Sequence, residues 1–332
     1  MTEPGFTSND ALLQPRYTGI ATLLRADYRP DPSGLDIALV GVPTEFTVFR
    51  NGTRWGPAQI REMSRNIRPV NASTLQSPFE GARISDIGDA PVNPFSSVDT
   101  NKRLEEFFSK LYSAGTRTLA VGGDHGMTLP ILRALSRSQS PLGVLQIDAH
   151  HDTHDELYGV KDNHATVMRR AVDEGIVDPR RVVQLGLRGS LYSSTELDWA
   201  DAQGFTRIGA EEFAETGPAA AVERILDVLG GGPSYLTLDI DGLDPTEAPG
   251  TGVPEPGGLT YHDCVKVLRG VSQASFISAD LSEVAPALDP SGRTALVAAS
   301  LLFEELCLVA DGLARRPTTN DGRVVSPSSQ GR

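Results

Sequence analysis

VLQIDAHHD, residues 144–152, is the stretch from which this chain is read. Val144 to Ile147 reads as a buried strand. Asp148, His150 and Asp152 follow at intervals of two. In an extended chain, side chains two apart point the same way. The pattern Asp-x-His-x-Asp therefore aims three ligand-type groups at one spot if the extended conformation persists. Five of the six histidines fall between Gly122 and His164.

Two further clusters answer this one. Tyr235 to Leu238 reads as a strand, and Asp239 and Asp241 share a face by the same rule. Leu119 to Val121 reads as a third strand, with His125 just beyond its end. In open α/β sheets, ligand sites lie outside the carboxyl ends of the strands. The inventory is four carboxylates and two imidazoles, which suits two metal ions sharing bridging carboxylates better than one. Carboxylate-rich sites suit hard cations such as Mn²⁺, while imidazole also admits Zn, Ni or Fe. No cysteine lies near, which counts against a structural thiolate zinc site. Two ions about 3.5–4 Å apart make a water nucleophilic at neutral pH. His151 and His154 fall off the even spacing and read as solvated loop residues.

The 332 residues suffice for one large α/β domain. A net charge of −13 argues against nucleic acid and membrane as partners. Cys264 and Cys307 lie in helical patterns, so no disulfide framework is expected and a reducing, cytoplasmic setting is. The start, MTEPGFTSND, has no signal region, and no run reaches membrane-spanning length.

Residues 1–33 read as a loosely ordered arm, 34–316 as a single domain and 317–332 as a disordered tail. Within the domain, Asp36 to Val42 is the first core strand. RNGTRWGP, residues 50–57, is a loop opening a helix that runs to about Asn66. Arg50 and Asn51 are candidates to line a pocket. A short strand at Arg83 to Ile87 and a helix at Asn101 to Gly115 precede the strand to His125. A helix from about Met127 to Ser136 leads to the 144–152 stretch. A helix at Ala165 to Gly175, a strand at Arg181 to Leu187 and a helix at Gly217 to Gly230 come next. The second acidic cluster runs into APGTGVPEPGG, residues 248–258, a fixed irregular loop. Thr260 to Val271 is helical, Phe276 to Val284 is the last core strand, and Arg293 to Ala314 is a long apolar helix. The alternation predicts an α/β fold, a mostly parallel sheet with helices on both faces.

GGDH, DAHHD, DNH, SYLTLDIDGLDP, APGTGVPEPGG and DLSEVAP, in that order, resemble the ureohydrolase (arginase and agmatinase) family over roughly residues 35–315. The resemblance implies a three-layer α/β/α, arginase-like fold and trimers or hexamers. It also implies two Mn²⁺ per subunit, with Ni²⁺, Zn²⁺ or Co²⁺ as alternatives, and hydrolysis of a guanidino group to urea and an amine. Carried over by position, one metal takes His125, Asp148, Asp152 and Asp239. The other takes Asp148, His150, Asp239 and Asp241. His164 matches the proton-shuttling or substrate-contacting histidine, and Glu283 the guanidinium-binding glutamate. Asp152 aims the attacking water.

Three departures fall near the expected substrate pocket. Gly126 stands where the family has serine, Ala165 where it has glycine, and Val167 and Met168 where relatives often have proline and an aromatic. The loop THDELYGVKDNHAT, residues 153–166, lacks the hydroxyl- and amide-rich pattern of the arginase branch. It points to a guanidino acid, guanidinobutyrate or guanidinopropionate in type, or to agmatine. Arg50 or Lys161 is a candidate partner for a substrate carboxylate. An inactive metal-binding subunit that scaffolds a partner, and a formimino or amide hydrolase, are the competing expectations.

Overall fold

The computed structural model describes Leu12 and residues 15–314. The strands are β1 (Ile37–Val42), β2 (Ile84–Asp89), β3 (Arg117–Gly122), β4 (Leu142–Ile147), β5 (Val177–Leu185), β6 (Thr206–Ile208), β7 (Pro233–Asp239) and β8 (Ser275–Ser282). They form one sheet in the order β2-β1-β3-β8-β7-β4-β5-β6. Every neighbouring pair is parallel. A parallel sheet needs cover on both faces, and the strands here are apolar on both.

Period-two alternation splits each strand between two cores. Ile37 and Leu39 of β1 join one core; Ala38, Val40 and Val42 join the other. The first is closed by the helices Gly56–Ser64, Ala210–Leu229, Tyr261–Gly270 and Arg293–Ala314. The second is closed by Ser97–Ser113, Thr128–Ser136, Val167–Asp173 and Asp198–Gln203. These are the three layers expected. Among the described residues no helix is long and apolar enough to cross a membrane.

Several boundaries differ from the sequence reading. The helix expected from Asn101 begins at Ser97, because the Ser96 hydroxyl accepts the Asp99 N–H at 3.1 Å and caps it. The helix expected from Gly217 begins at Ala210 and kinks at Gly217, whose φ of 78° breaks the helical path before Pro218. The strand β6 and the helix Asp198–Gln203 have too few apolar residues to announce themselves.

The N-terminal arm is corrected in part. Leu23, Leu24 and Ala26 are buried in the first core. The Leu23 N–H donates to Asp86 Oδ2 at 2.8 Å, and Tyr28 bridges to Asp86 at the open edge of β2. Asp86 is fully buried and also takes Arg61 Nε at 2.8 Å. The arm is thus tied to a carboxylate that is itself ion-paired inside the fold, and it covers a sheet edge that would otherwise present unpaired backbone. Residues 1–11 and the tail from 317 lie outside the described residues.

The topology fixes where a site can form. β3, β8, β7 and β4 are adjacent in that order at the centre of the sheet. Their carboxyl ends carry His125, Glu283, Asp239 with Asp241, and Asp148 with His150 and Asp152. Neighbouring parallel strands lie about 4.8 Å apart, so segments far apart in sequence are delivered side by side.

Candidate metal centre

The six expected ligands meet. His125 Nδ1 lies 2.9 Å from Asp152 Oδ2, 3.2 Å from Asp148 Oδ2 and 3.4 Å from Asp239 Oδ2. His150 Nδ1 lies 3.1 Å from Asp241 Oδ2 and 3.6 Å from Asp148 Oδ1. Asp148 therefore turns one oxygen to each histidine. Two ligand groups result, His125–Asp148–Asp152 and Asp148–His150–Asp241, with Asp148 common to both. Apart from His150, these residues are almost wholly buried.

The route to this convergence differs from the extended run expected. The chain bends after Asp148, whose Oδ1 accepts the His150 N–H at 2.7 Å. Asp152 has a φ of 51°. Asp239 Oδ1 accepts the Asp241 N–H at 2.9 Å, opening a 3-10 turn at Ile240–Gly242. Asp124 Oδ1 does the same for Gly126 at 3.0 Å, which orients His125. Each acidic cluster thus folds by an Asx turn, in which a short carboxylate captures the backbone two residues on. Asp124 Oδ2 also takes the Phe46 N–H at 3.0 Å, so this aspartate braces the turn and is not turned to the ligands. Gly126 is accommodated here: a Cβ there would sit 2.7 Å from Asp124 Oδ1.

The charges are out of balance. Four carboxylates face two imidazoles, so even with both rings protonated two negative charges remain. Burial and the neighbouring Asp241 and Asp148 push the Asp239 carboxyl well above the usual range. Burial, with Asp148, also raises Asp241. Burial alone would lower His150, yet Asp241 and Asp148 push it up to about 12. Without further positive charge, Asp239 and Asp241 resist ionisation in so dry a place. Two dications would balance four carboxylates against neutral imidazoles, so the donor set fits a metal centre.

Supporting residues escaped the sequence reading. His125 Nε2 donates to Thr237 Oγ1 at 2.7 Å, and Thr237 in turn donates to Asp280 Oδ1 at 2.7 Å. Asp280 is fully buried and also accepts from Thr128 at 2.8 Å and Tyr235 at 2.6 Å. This chain of hydroxyls holds the proton on Nε2 and leaves the Nδ1 lone pair facing the carboxylates. Such outer partners fix the tautomer of a ligating histidine. Asp280→Asn would offer Thr237 an N–H and reverse the chain, and Thr237→Val would delete its middle link. Both are expected to weaken metal affinity by about 10–100-fold, read by competition with a chelator.

Glu283 sits beside the centre. Its N–H donates to Gly123 O at 2.8 Å, and its Oε1 accepts the His125 N–H at 2.7 Å. Its φ is 64°. Asp152 and Glu283 are thus both non-glycine residues held in the left-handed region, a strain that persists only where surrounding structure enforces it. Burial, with Asp124 next, pushes the Glu283 carboxyl up to about 8.

A cleft of about 460 Å³ opens over these groups, lined by His125, His150, Asp152, His164, Asp239, Asp241 and Glu283 among others. His164 Nδ1 donates to Phe46 O at 3.1 Å, which leaves Nε2 for proton exchange. From the 46–54 loop the lining residues are Thr47 and Val48; Arg50, Asn51 and Lys161 are not among them. The Arg50 carbonyl instead lies 3.1 Å from where a Cβ on Gly252 would be, and Glu45 Oε2 accepts the Gly52 N–H at 2.8 Å. These contacts set the loop's shape.

His151 and His154 are corrected. His151 is buried, and its Nε2 lies 2.8 Å from Glu196 Oε1. His154 is half-buried, with Nε2 3.3 Å from the same oxygen. The partner is a glutamate some forty residues on, which local spacing cannot reveal.

An all-parallel α/β/α protein with a carboxylate–imidazole centre at the ends of its four middle strands is the class these observations define. The arginase family model matches residues 35–307, and the chain belongs to the arginase family. It is an enzyme of the ureohydrolase class, whose members are metal-dependent. It is similar to the guanidinopropionase of Pseudomonas aeruginosa, at 44% identity over 92% of this chain and 96% of that protein. It is similar also to that organism's guanidinobutyrase, at 42% identity over 91% and 96%. Among solved structures, the proclavaminate amidinohydrolase of Streptomyces clavuligerus matches with a TM-score of 0.87 and 35% identity. It covers 90% of this chain and all of that one.

Proposed function

We propose that this chain hydrolyses the guanidino group of a small substrate to urea and an amine, at a centre of two divalent cations, Mn²⁺ first among the candidates. The observation that carries the reading is Asp148, which turns one oxygen to each of two histidines at the heart of the cluster. His125, Asp148, Asp152 and Asp239 would hold one ion, and Asp148, His150, Asp239 and Asp241 the other. Divalent ions there supply a nucleophilic water at neutral pH.

The remaining work belongs to the chain. A guanidinium carbon is a poor electrophile, because resonance spreads its charge. Glu283 pairs with the planar cation, a carboxylate matching that fork in two bonds. Asp152 accepts a hydrogen bond from the attacking water and aims it. His164 takes a proton at Nε2 and returns it to the departing amine, which leaves only when protonated. A guanidino acid of the guanidinopropionate or guanidinobutyrate type, or agmatine, is the substrate proposed. The sequence similarity to enzymes named for such acids supports this.

A urea assay over 3-guanidinopropionate, 4-guanidinobutyrate and agmatine tests the reading. Activity is expected on at least one of them, lost on stripping with a chelator and restored by Mn²⁺. Turnover that survives complete metal removal would defeat it. Release of ammonia or formamide in place of urea would transfer the chain to the formimino or amide hydrolases. Failure of every substrate, with a rise in a partner's activity on mixing, would favour the scaffolding subunit.

A further inference from the structure

The outer cleft presents a problem of charge. Its wall includes the carboxylates Glu196 and Glu255, and two arginines. Neither arginine offers its whole fork to a substrate. Arg188 gives its donors to the backbone carbonyls of Gly186, Asp241, Gly242, Leu243 and Glu255. Arg207 pairs with Asp201 through both carboxylate oxygens. Among the described lining residues no arginine or lysine has its fork free to take the carboxylate of a guanidino acid in two bonds.

The same wall holds a second group of metal-type donors. His151 Nε2, His154 Nε2 and a Glu196 oxygen lie within 4.8 Å of one another. Both imidazoles aim at one oxygen, Glu196 Oε1, from 2.8 and 3.3 Å. The carboxylate is held in place from behind, where Oε2 accepts the Tyr192 N–H at 2.6 Å and the Ser193 N–H at 3.3 Å. The Tyr192 ring packs on His154 at 5.9 Å between centroids. Two imidazoles and one carboxylate are a three-ligand set that leaves a position open to an incoming group, and they favour an imidazole-loving dication such as Zn²⁺.

We propose that His151, His154 and Glu196 bind a third divalent cation, and that this ion receives the carboxylate of the substrate. The second half rests on the guanidino-acid reading above; the first does not. Binding requires a change of tautomer at His151. In the ion-free ring Nδ1 accepts from the Thr153 N–H at 3.1 Å, and the ring proton is on Nε2. With the ion on Nε2 the proton sits on Nδ1 and is given to Thr153 Oγ1, 2.7 Å away, while the contact to the Thr153 N–H slackens. No net proton is gained or lost.

The test is a metal count on the full chain, stripped and reloaded with Zn²⁺ alone, then desalted. Wild type is expected to retain three Zn²⁺ per subunit, and His154→Asn and Glu196→Gln two each. Asp148→Ala is expected to retain one. Two ions in wild type, or three in His154→Asn, would overturn the site and leave the cluster a hydrogen-bonded support for the 189–197 loop. His154 is half-exposed, so its variant folds even if Glu196→Gln does not. For Zn²⁺-loaded protein, the KM for 3-guanidinopropionate is expected to rise about tenfold or more in His154→Asn, with that for agmatine unmoved. An equal rise for both substrates would overturn the role given to the ion. Absence of any urea from guanidino acids would sink the substrate reading while the metal count still stood.

Discussion

Asp148→Ala is expected to lose both ions of the centre at once and to lower urea release by at least about 10³-fold, or ~4 kcal/mol of transition-state stabilisation. The reason is positional. Asp148 lies between His125 and His150, one oxygen toward each, and it is the residue common to the two ligand groups. Removing it separates them, whereas removing Asp152 or Asp241 impairs one. Alanine also strands two buried donors, the His150 N–H and the Gln146 side-chain amide, both now bonded to the carboxylate. Asp148→Asn restores the acceptor for the His150 N–H and leaves only the Gln146 amide without its partner oxygen. It keeps the volume and one acceptor but replaces the second ligating oxygen with an amide nitrogen. The same fall in activity is expected, with circular dichroism unchanged. If Asp148→Asn held two ions and turned over at the wild-type rate, the shared carboxylate would be the wrong foundation.

The candidate ligands were legible because each sits just after a run of buried strand residues. That placement depends on the hydrophobic period alone, and the parallel sheet then brings the ends together. Adjacency of β3, β8, β7 and β4 was not legible, since strand order depends on crossovers that no local pattern encodes. Nor was the manner of convergence. Extended alternation suggested that Asp148, His150 and Asp152 share a face, but Asx turns and a left-handed Asp152 do the gathering. The short carboxylate has two uses, as ligand and as turn former, and spacing cannot separate them. Thr237 and Asp280 were hidden for another reason. They are ordinary strand residues whose role exists only once β7 and β8 pair in register, Thr237 opposite Asp280. His151 looked solvated because its partner, Glu196, belongs to a loop beyond β5.

Glu283→Gln is the complementary case, a variant expected to keep its metal and lose its substrate. Glu283 is buried, strained and fixed through the His125 N–H. Glutamine preserves that bond through its amide oxygen but turns an N–H₂ group toward a guanidinium that only donates. Leaving a buried cation facing a donor costs about 2–5 kcal/mol, so kcat/KM is expected to fall by roughly 30- to 4,000-fold at unchanged metal content. The pH dependence follows from the same residue. Burial raises the Glu283 carboxyl to about 8, so the acid form dominates below that pH and the pairing carboxylate above it. Nearby bound cations favour the carboxylate, which moves the step downward. Wild-type kcat/KM is therefore expected to rise with pH and level off at or below about pH 8, and Glu283→Gln to lack that rise. A variant that kept the wild-type profile would assign the titration to another group. One that kept wild-type kcat/KM would remove Glu283 from substrate recognition altogether.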